Sequence, residues 1–357
     1  MTRSSSSLRR SGAGAPPEPP TRRATINDIA RLANVSKKTV SRVINQSPFV
    51  KEDTRKRIGE IMRELGYEPD PQARGLAFRR SFLIGLIYDN PNAQFVVNAQ
   101  QGVLNAVRGS GFEVVVHPCN RLAKSFLSDV ASFVDRQKLY GVVLLPPISE
   151  NDQLVQLLKD RGCHYVRVAS AVLDGPRNLV VSNDKLATAE AARHLADLGH
   201  KKIGLILGPP GYRSRKERRD GFTEGLKARG IDLPAAYCVD GAYTYESGVA
   251  AAERLLKLKP RPTAIFASND EMAAGVYQVA RQMNLSIPGD LSIVGFDDTP
   301  VSSRLWPPLT TVRWPILEMG EAAAGKLLRA NESEATMEDA RTYPAHLIVR
   351  DSTAPPA

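Results

Sequence analysis

The sequence predicts a two-part protein: a small all-α head of helix-turn-helix form, then an α/β core made of two doubly wound lobes of parallel sheet. Three observations predict this. Residues 25–45 read TINDIARLANVSKKTVSRVIN, two short amphipathic helices joined by a tight turn. From residue 82 onward, continuous apolar runs alternate with helical stretches, the pattern of parallel strands covered on both faces. The charge changes between the two parts: residues 1–80 hold 17 Lys and Arg against 8 Asp and Glu, and the rest of the 357-residue chain holds 31 against 30.

In the head, Thr25 is placed to cap a first helix, and Asp28 follows three residues later at the positive end of its dipole. Ile26, Ile29, Ala30 and Ala33 fall on one face at helical spacing. Asn34 suits the end of that helix, Val35 plugs the corner, and Ser36 caps a second helix that buries Val40, Val43 and Ile44. The other side of the second helix offers Lys37, Lys38, Thr39, Ser41 and Arg42. A helix of this kind fits the major groove of duplex DNA, where its first residues reach base edges and Lys or Arg donates to guanine acceptors. The confinement of positive charge to the first 80 residues agrees with a polyanionic partner; a device for general solubility would spread it.

A third helix is expected over 52–66, with Ile58, Ile61, Met62 and Leu65 at core spacing and Gly66 as its stop. Residues 1–23 are Ser, Arg, Gly and Pro without the apolar run of an export signal, and read as a disordered basic arm. After Tyr67, Asp70 can cap and Pro71 fits a first helical position, but the segment is too short to be a stable helix alone and Gly75 weakens it further. It reads as a stretch that a partner orders.

In the core, Phe82–Tyr88, Phe112–Val116, Gly141–Leu145 and Val166–Val168 read as strands, with helices near 94–109, 121–138 and 150–161. The rhythm restarts after Val180: helix 184–198, strand Ile203–Leu207, helices 215–229 and 245–258, strand Ala264–Ala267, helix 270–283 and strand Leu291–Phe296. Ligands of such folds sit outside the carboxyl ends of the strands.

Several classes are excluded on these residues. Cys119, Cys163 and Cys238 lie far apart with no C-x-x-C spacing, which suits a reducing cytoplasm and argues against a disulfide framework or a zinc site. The five histidines form no H-E-x-x-H, so no metal is expected. No run of ~18 apolar residues indicates a membrane span. Gly208-Pro209-Pro210-Gly211 lacks a following Lys-Ser/Thr pair, and the first core strand leads into Asp89-Asn90-Pro91 rather than a glycine loop. No nucleophile–base pair stands out, so the reading is a binding protein without cofactor and not an enzyme.

The run T-x-x-D-I-A-x-x-A-x-V-S-x-x-T-V-S-R-V-I-N, from Thr25 to Asn45, resembles the head of the lactose-repressor (LacI/GalR) family of transcription regulators. Downstream, LIGLI at 83–87, HLADLGHKKIGLILGP at 194–209, ERRDGF at 217–222, AIFASND at 264–270, DLSIVGFDDTP at 290–300 and PPLTTV at 307–312 are similar to the same family's core, which has the periplasmic sugar-binding-protein fold. The resemblance implies that Thr25, Ser36, Lys37, Lys38, Thr39, Ser41, Arg42 and Asn45 contact operator DNA, and that Leu76 is the wedge of a hinge that folds in the minor groove when two copies pair.

It also implies a chain that crosses between lobes three times: head 24–67, hinge 68–80, core 81–350 (first lobe about 81–180 and 312–342, second about 181–311 and 343–350) and tail 351–357. The expected effector pocket draws on Arg218 and Asp297, which match the family's effector-binding arginine and aspartate. Asp89, Asn90, Asn92, Asn183, Asp184 and Asn269 stand near strand ends, with Phe95, Tyr243 and Trp306 as stacking faces. Where the family sometimes has an acidic residue, this chain has Ala169-Ser170. The function implied is a repressor of sugar-utilisation genes whose operator affinity is changed by a small carbohydrate, acting as a homodimer because DSTAPPA at 351–357 has no heptad pattern to tie dimers together. A purine or nucleoside effector, or corepressor-dependent action, is the alternative.

Overall fold

The protein is described by a computed structural model covering residues 24–44, 49–67, 81–331 and 342–357. Asn45, Leu76, the basic arm and the hinge segment lie outside these residues. The chain divides near residue 74 into two compact units.

The first unit holds helices α1 (Ile26–Leu32), α2 (Lys37–Ile44) and α3 (Glu52–Glu64). The Asp28 carboxylate accepts from both the backbone N–H of Thr25 at 2.9 Å and its hydroxyl at 2.7 Å, closing the start of α1. Asn34 turns the chain with φ at +48°, a conformation that asparagine tolerates better than most residues. Ser36 Oγ accepts from Thr39 N at 3.0 Å and caps α2. Ile29, Ala30, Ala33, Val40, Val43 and Ile58 close into one small core shared by the three helices.

The second unit contains two six-stranded sheets. The first sheet has the order β11-β5-β4-β3-β1-β2, where β1 is Leu83–Tyr88, β2 Glu113–Pro118, β3 Gly141–Leu144, β4 His164–Ala169, β5 Leu179–Ser182 and β11 Thr342–Tyr343. The second has the order β12-β10-β9-β8-β6-β7, where β6 is Ile203–Leu207, β7 Cys238–Asp240, β8 Ala264–Ala267, β9 Ser292–Asp297, β10 Thr310–Arg313 and β12 His346–Ile348. Pairing is parallel except between β10 and β12. Helices α4 (Ala93–Val107), α5 (Phe126–Gln137) and α6 (Asp152–Asp160) connect the first sheet; α7 (Asp184–Asp197), α8 (Arg213–Lys227), α9 (Tyr245–Leu256), α10 (Asp270–Gln282) and α11 (Pro300–Arg304) serve the second. Helix α12 (Ile316–Leu328) returns to the first lobe and lies along α4. The chain therefore changes lobe after β5, after β10 and between β11 and β12.

Two expectations are corrected in detail. The helix read over 121–138 begins only at Phe126, because residues 121–125 are turns. Residues 351–354, set apart above as tail, are bonded into the second lobe: Ser352 Oγ donates to Ile293 O at 2.6 Å and accepts from Thr310 N at 2.8 Å. Among the described residues no helix is long and apolar enough to cross a membrane, and no group of three His, Cys, Asp or Glu is arranged to hold a metal ion.

His200 fastens this C-terminal strap. Its Nδ1 lies 2.9 Å from Thr263 Oγ1, and its Nε2 lies 2.9 Å from Ala354 O and 3.0 Å from Ser292 Oγ. Burial holds its pKa below the ordinary 6.5. The unfolded chain thus binds the proton more readily than the folded one, so the stability contributed is complete above about pH 6.5 and is lost as pH falls below it. The expected result is a core unfolding midpoint that drops between pH 7 and 5, with a shallower drop in His200→Gln, measured by urea denaturation across that range. Equal slopes in the two proteins would remove His200 from the cause.

Candidate functional site

The head carries the first candidate surface. Burial of Val40 and Val43 against α1 and α3 turns Lys37, Lys38 and Arg42 out to solvent. Thr39 is half-buried, with its hydroxyl 2.9 Å from that of Ser36, and Ser41 is half-buried on the same helix. Thr25 and Ser36 set the helix starts, while Lys37, Lys38 and Arg42 are the exposed donors. An exposed row of cations on a second helix, backed by a packed three-helix core, is suited to phosphates and base edges of duplex DNA.

The second candidate site lies between the lobes of the core, and helix packing creates it. A Cβ on Gly221 would stand 2.0 Å from Lys185 O, and one on Gly225 would stand 2.5 Å from Ala189 O. Glycine is therefore required for α8 to cross α7 this closely. The crossing sets Arg218 against Asp184: Arg218 Nε donates to Asp184 Oδ2 at 2.9 Å and Nη1 donates to Ser268 O at 2.5 Å. Both side chains are buried, Asp184 completely. The guanidinium lies over the Phe296 ring, 3.5 Å from its centroid. Burial works against its charge, but Asp184, Tyr243 and Asp297 outweigh that and hold its pKa above the ordinary value. Asp184 also accepts from Trp314 Nε1 at 2.7 Å and from the Ser182 hydroxyl.

Asp297 ends β9 with φ at +110°, a strained backbone for a residue with a Cβ. Asn92, from the opposite lobe, donates through Nδ2 to Asp297 Oδ2 at 3.3 Å, while its Oδ1 caps α4 by accepting from Phe95 N at 3.2 Å. Removal from water pushes the Asp297 carboxyl well above the usual range, against the pull of Arg218. Phe95 stacks on Trp314, with centroids 5.3 Å apart and planes 17° apart; Tyr212 meets Tyr243 edge-on at 5.6 Å. Asn90, Pro146, Ser170, Ser214 and Asn269 complete the walls, which leave about 30 Å³ between them. That is room for one or two water molecules.

The mouth has its own contacts. Arg213 N, at the start of α8, donates to Glu150 Oε2 of the first lobe at 2.9 Å. Burial lifts the Glu150 carboxyl to about 7. Arg121 of the first lobe lies 3.8 Å from Asp89 and stacks on the Tyr212 ring at 4.8 Å. A wider groove of about 960 Å³ on the flank of the first lobe, lined by His117, Asp129, Ser132, Asp135 and Arg136 among others, shares no lining residue with the cleft.

The structure brings Asn90, Asn92, Phe95, Arg218, Tyr243, Asn269 and Asp297 of the expected set to one cleft. Four nominations change. Trp306 is 87% exposed at the surface beyond α11 and offers no wall to the cleft. Asp89 turns to Arg121, bonding its backbone N at 3.1 Å, instead of facing the ligand space. Asp184 lies behind Arg218 as its counter-ion. Asn269 lines the cleft with its amide already engaged, accepting from Met272 N at 2.9 Å and donating to Tyr243 O at 2.9 Å. Asn183 also stands outside the lining, its Oδ1 accepting from Ala345 N at 2.6 Å. Trp314, Tyr212, Ser214, Ser170 and Pro146 line the cleft without being part of the expected set. The signal for Trp314 was available: Thr310-Thr311-Val312-Arg313-Trp314 runs into a lobe crossing, and crossings border the cleft.

A helix-turn-helix head together with a two-lobed core whose cleft is lined by polar and aromatic side chains defines a class: DNA-binding regulators with a small-molecule sensing core. The model for bacterial regulatory proteins of the lacI family matches residues 25–70, and that for a periplasmic binding protein-like domain matches residues 192–353. The chain is 33% identical to the probable HTH-type transcriptional repressor ExuR of Bacillus subtilis (strain 168), over 92% of this chain and 98% of that one. It superposes on the lac repressor dimer bound to operator and the anti-inducer ONPF with a TM-score of 0.76 and 28% identity, covering 93% of this chain and 100% of that one. It superposes on the transcriptional regulator CelR–cellobiose complex with a TM-score of 0.69 and 30% identity, covering 92% and 100%. The chain belongs to the LacI family of bacterial transcriptional regulators.

Proposed function

We propose that this protein is a homodimeric repressor of sugar-utilisation genes, with an operator affinity set by a small carbohydrate held in the core cleft. The observation that carries the reading is the floor of that cleft: a buried Arg218–Asp184 pair facing Asp297, between two aromatic pairs. Fixed donors and a carboxyl suit hydroxyl groups, and aromatic faces suit the C–H surface of a sugar ring. The relative solved with cellobiose and the relative solved as a dimer on operator support the ligand class and the assembly. Lys37, Lys38, Thr39, Ser41, Arg42 and Asn45 would read the operator and Leu76 would wedge a base step, with Thr25 and Ser36 holding the helix starts. Effector and operator then alter each other's affinity reciprocally, because both act on one equilibrium between lobe arrangements. The chain's role is binding and not catalysis.

The test begins with an operator selected by the full-length protein from a random duplex pool. Its affinity is then titrated by fluorescence anisotropy with pentoses, hexoses, cellobiose, hexuronates and purines. A carbohydrate is expected to move the operator Kd by roughly 5- to 150-fold. A shift by purines alone would overturn the carbohydrate reading.

A further inference from the structure

Charge bookkeeping inside the cleft narrows the ligand further. Among the described residues that line the cleft, Arg218 is the one cation. Its charge is met within the fold by Asp184 at 2.9 Å. Asp297 shares the same floor, so carboxyl groups outnumber guanidinium groups there. At the mouth, Arg121 is paired with Asp89 at 3.8 Å. A carboxylate or phosphate entering the cleft would leave its hydration and meet, among the described lining residues, one guanidinium that is already paired.

A second observation is independent of charge. Ser170 is 4% exposed, lines the cleft, and its Oγ has no hydrogen-bond partner within the described residues. Buried hydroxyls are normally satisfied. A hydroxyl both donates and accepts, so a ligand hydroxyl can satisfy it in either role. Burial raises the Asp297 carboxyl's proton affinity, which suits it to share a proton with a ligand hydroxyl.

We propose that the cleft selects an uncharged carbohydrate, with Ser170 and Asp297 as hydroxyl partners, and rejects the uronic acid or phosphate ester of the same ring. The inference rests on the carbohydrate reading above and says which carbohydrates qualify.

Full-length protein is titrated calorimetrically at pH 7.5 with matched pairs: D-glucose and D-glucuronate, D-galactose and D-galacturonate, D-ribose and ribose 5-phosphate, cellobiose and cellobionate. Guanine and hypoxanthine form a separate arm. The expected result is binding of at least one neutral sugar, with its charged counterpart weaker by roughly 100-fold or more. Ser170→Ala is expected to weaken the neutral sugar by roughly 5- to 10-fold, the loss of one hydrogen bond, with the unliganded melting temperature retained. Where Asp184→Asn folds, its uncompensated Arg218 is expected to narrow the neutral-to-acid ratio. A uronate or phosphate ester binding as tightly as its neutral parent overturns this inference and leaves the carbohydrate reading standing. Binding confined to the purines overturns both.

Discussion

A chain beginning at Ser81 is expected to lose operator binding altogether, while the full-length protein binds with a steep dependence on salt. The surplus of Lys and Arg is confined to residues 1–80, and the remainder is close to balanced. Phosphate contacts supply most nonspecific affinity by releasing counterions. The exposed Lys37, Lys38 and Arg42 sit on the helix shaped for the groove. Deletion removes both the sequence-reading surface and the electrostatic attraction, so the loss should exceed roughly 10³-fold, the lower end of the gap between specific and nonspecific binding. Anisotropy titrations between 50 and 300 mM salt check it. A truncated chain that still binds duplex with a steep salt slope would put the DNA surface in the core.

Replacement of Arg218 by alanine is expected to abolish the effector response and to weaken the core at the same time. The two effects have different origins. The response is lost because the guanidinium supplies donors at the cleft floor. Stability is lost because Asp184 remains as a buried charge, a circumstance that typically costs about 3–5 kcal/mol. The pair Arg218→Ala with Asp184→Asn separates them. The amide introduced by Asp184→Asn carries no charge, and Trp314 Nε1 and the Ser182 hydroxyl remain nearby to bond it. The double variant should therefore recover most of the melting temperature without recovering effector binding, the non-additivity expected of residues in contact. Calorimetric titration with the sugar found active on the parent protein, beside differential scanning calorimetry, reads both. Recovery of effector binding in the double variant would show that Arg218 serves the fold and not the ligand.

Much of this was legible in the residues, and the reasons are local. The head could be read because its caps, turn and buried stripe all act within a few residues: Thr25 with Asp28, Ser36 with Thr39, Val40 with Val43. The long apolar strands announced themselves in the same way. Strand β10 did not, because Thr310 and Thr311 are polar in the chain and fully buried in the fold. Their hydroxyls are satisfied by partners far away in sequence, Thr311 by Asp270 and Thr310 by Arg350 and Thr353. Strand β7 is only three residues long at a sheet edge. In the cleft, Arg218 and Asp297 were legible by resemblance. The distinction between a side chain that faces the ligand and one that supports it was not. Asp184 and Arg218 are brought together by two glycines at a helix crossing, and Asn92 reaches Asp297 across 205 positions of chain. Composition identifies a tryptophan but does not tell on which side of a lobe crossing it lies, so the sequence does not separate Trp306 from Trp314.

The tightness of the cleft walls has a kinetic consequence. An aperture of about 30 Å³ cannot admit a sugar ring, so capture must wait for the clamp to part. At low metabolite concentration the observed uptake rate climbs with concentration, and at high concentration it levels off at the protein's own opening frequency. The Asn92–Asp297 bond, the Glu150 contact and the Arg121–Tyr212 stack are the fasteners that set this frequency. At saturating ligand, the reaction time of this sensor is therefore written into three cross-lobe contacts.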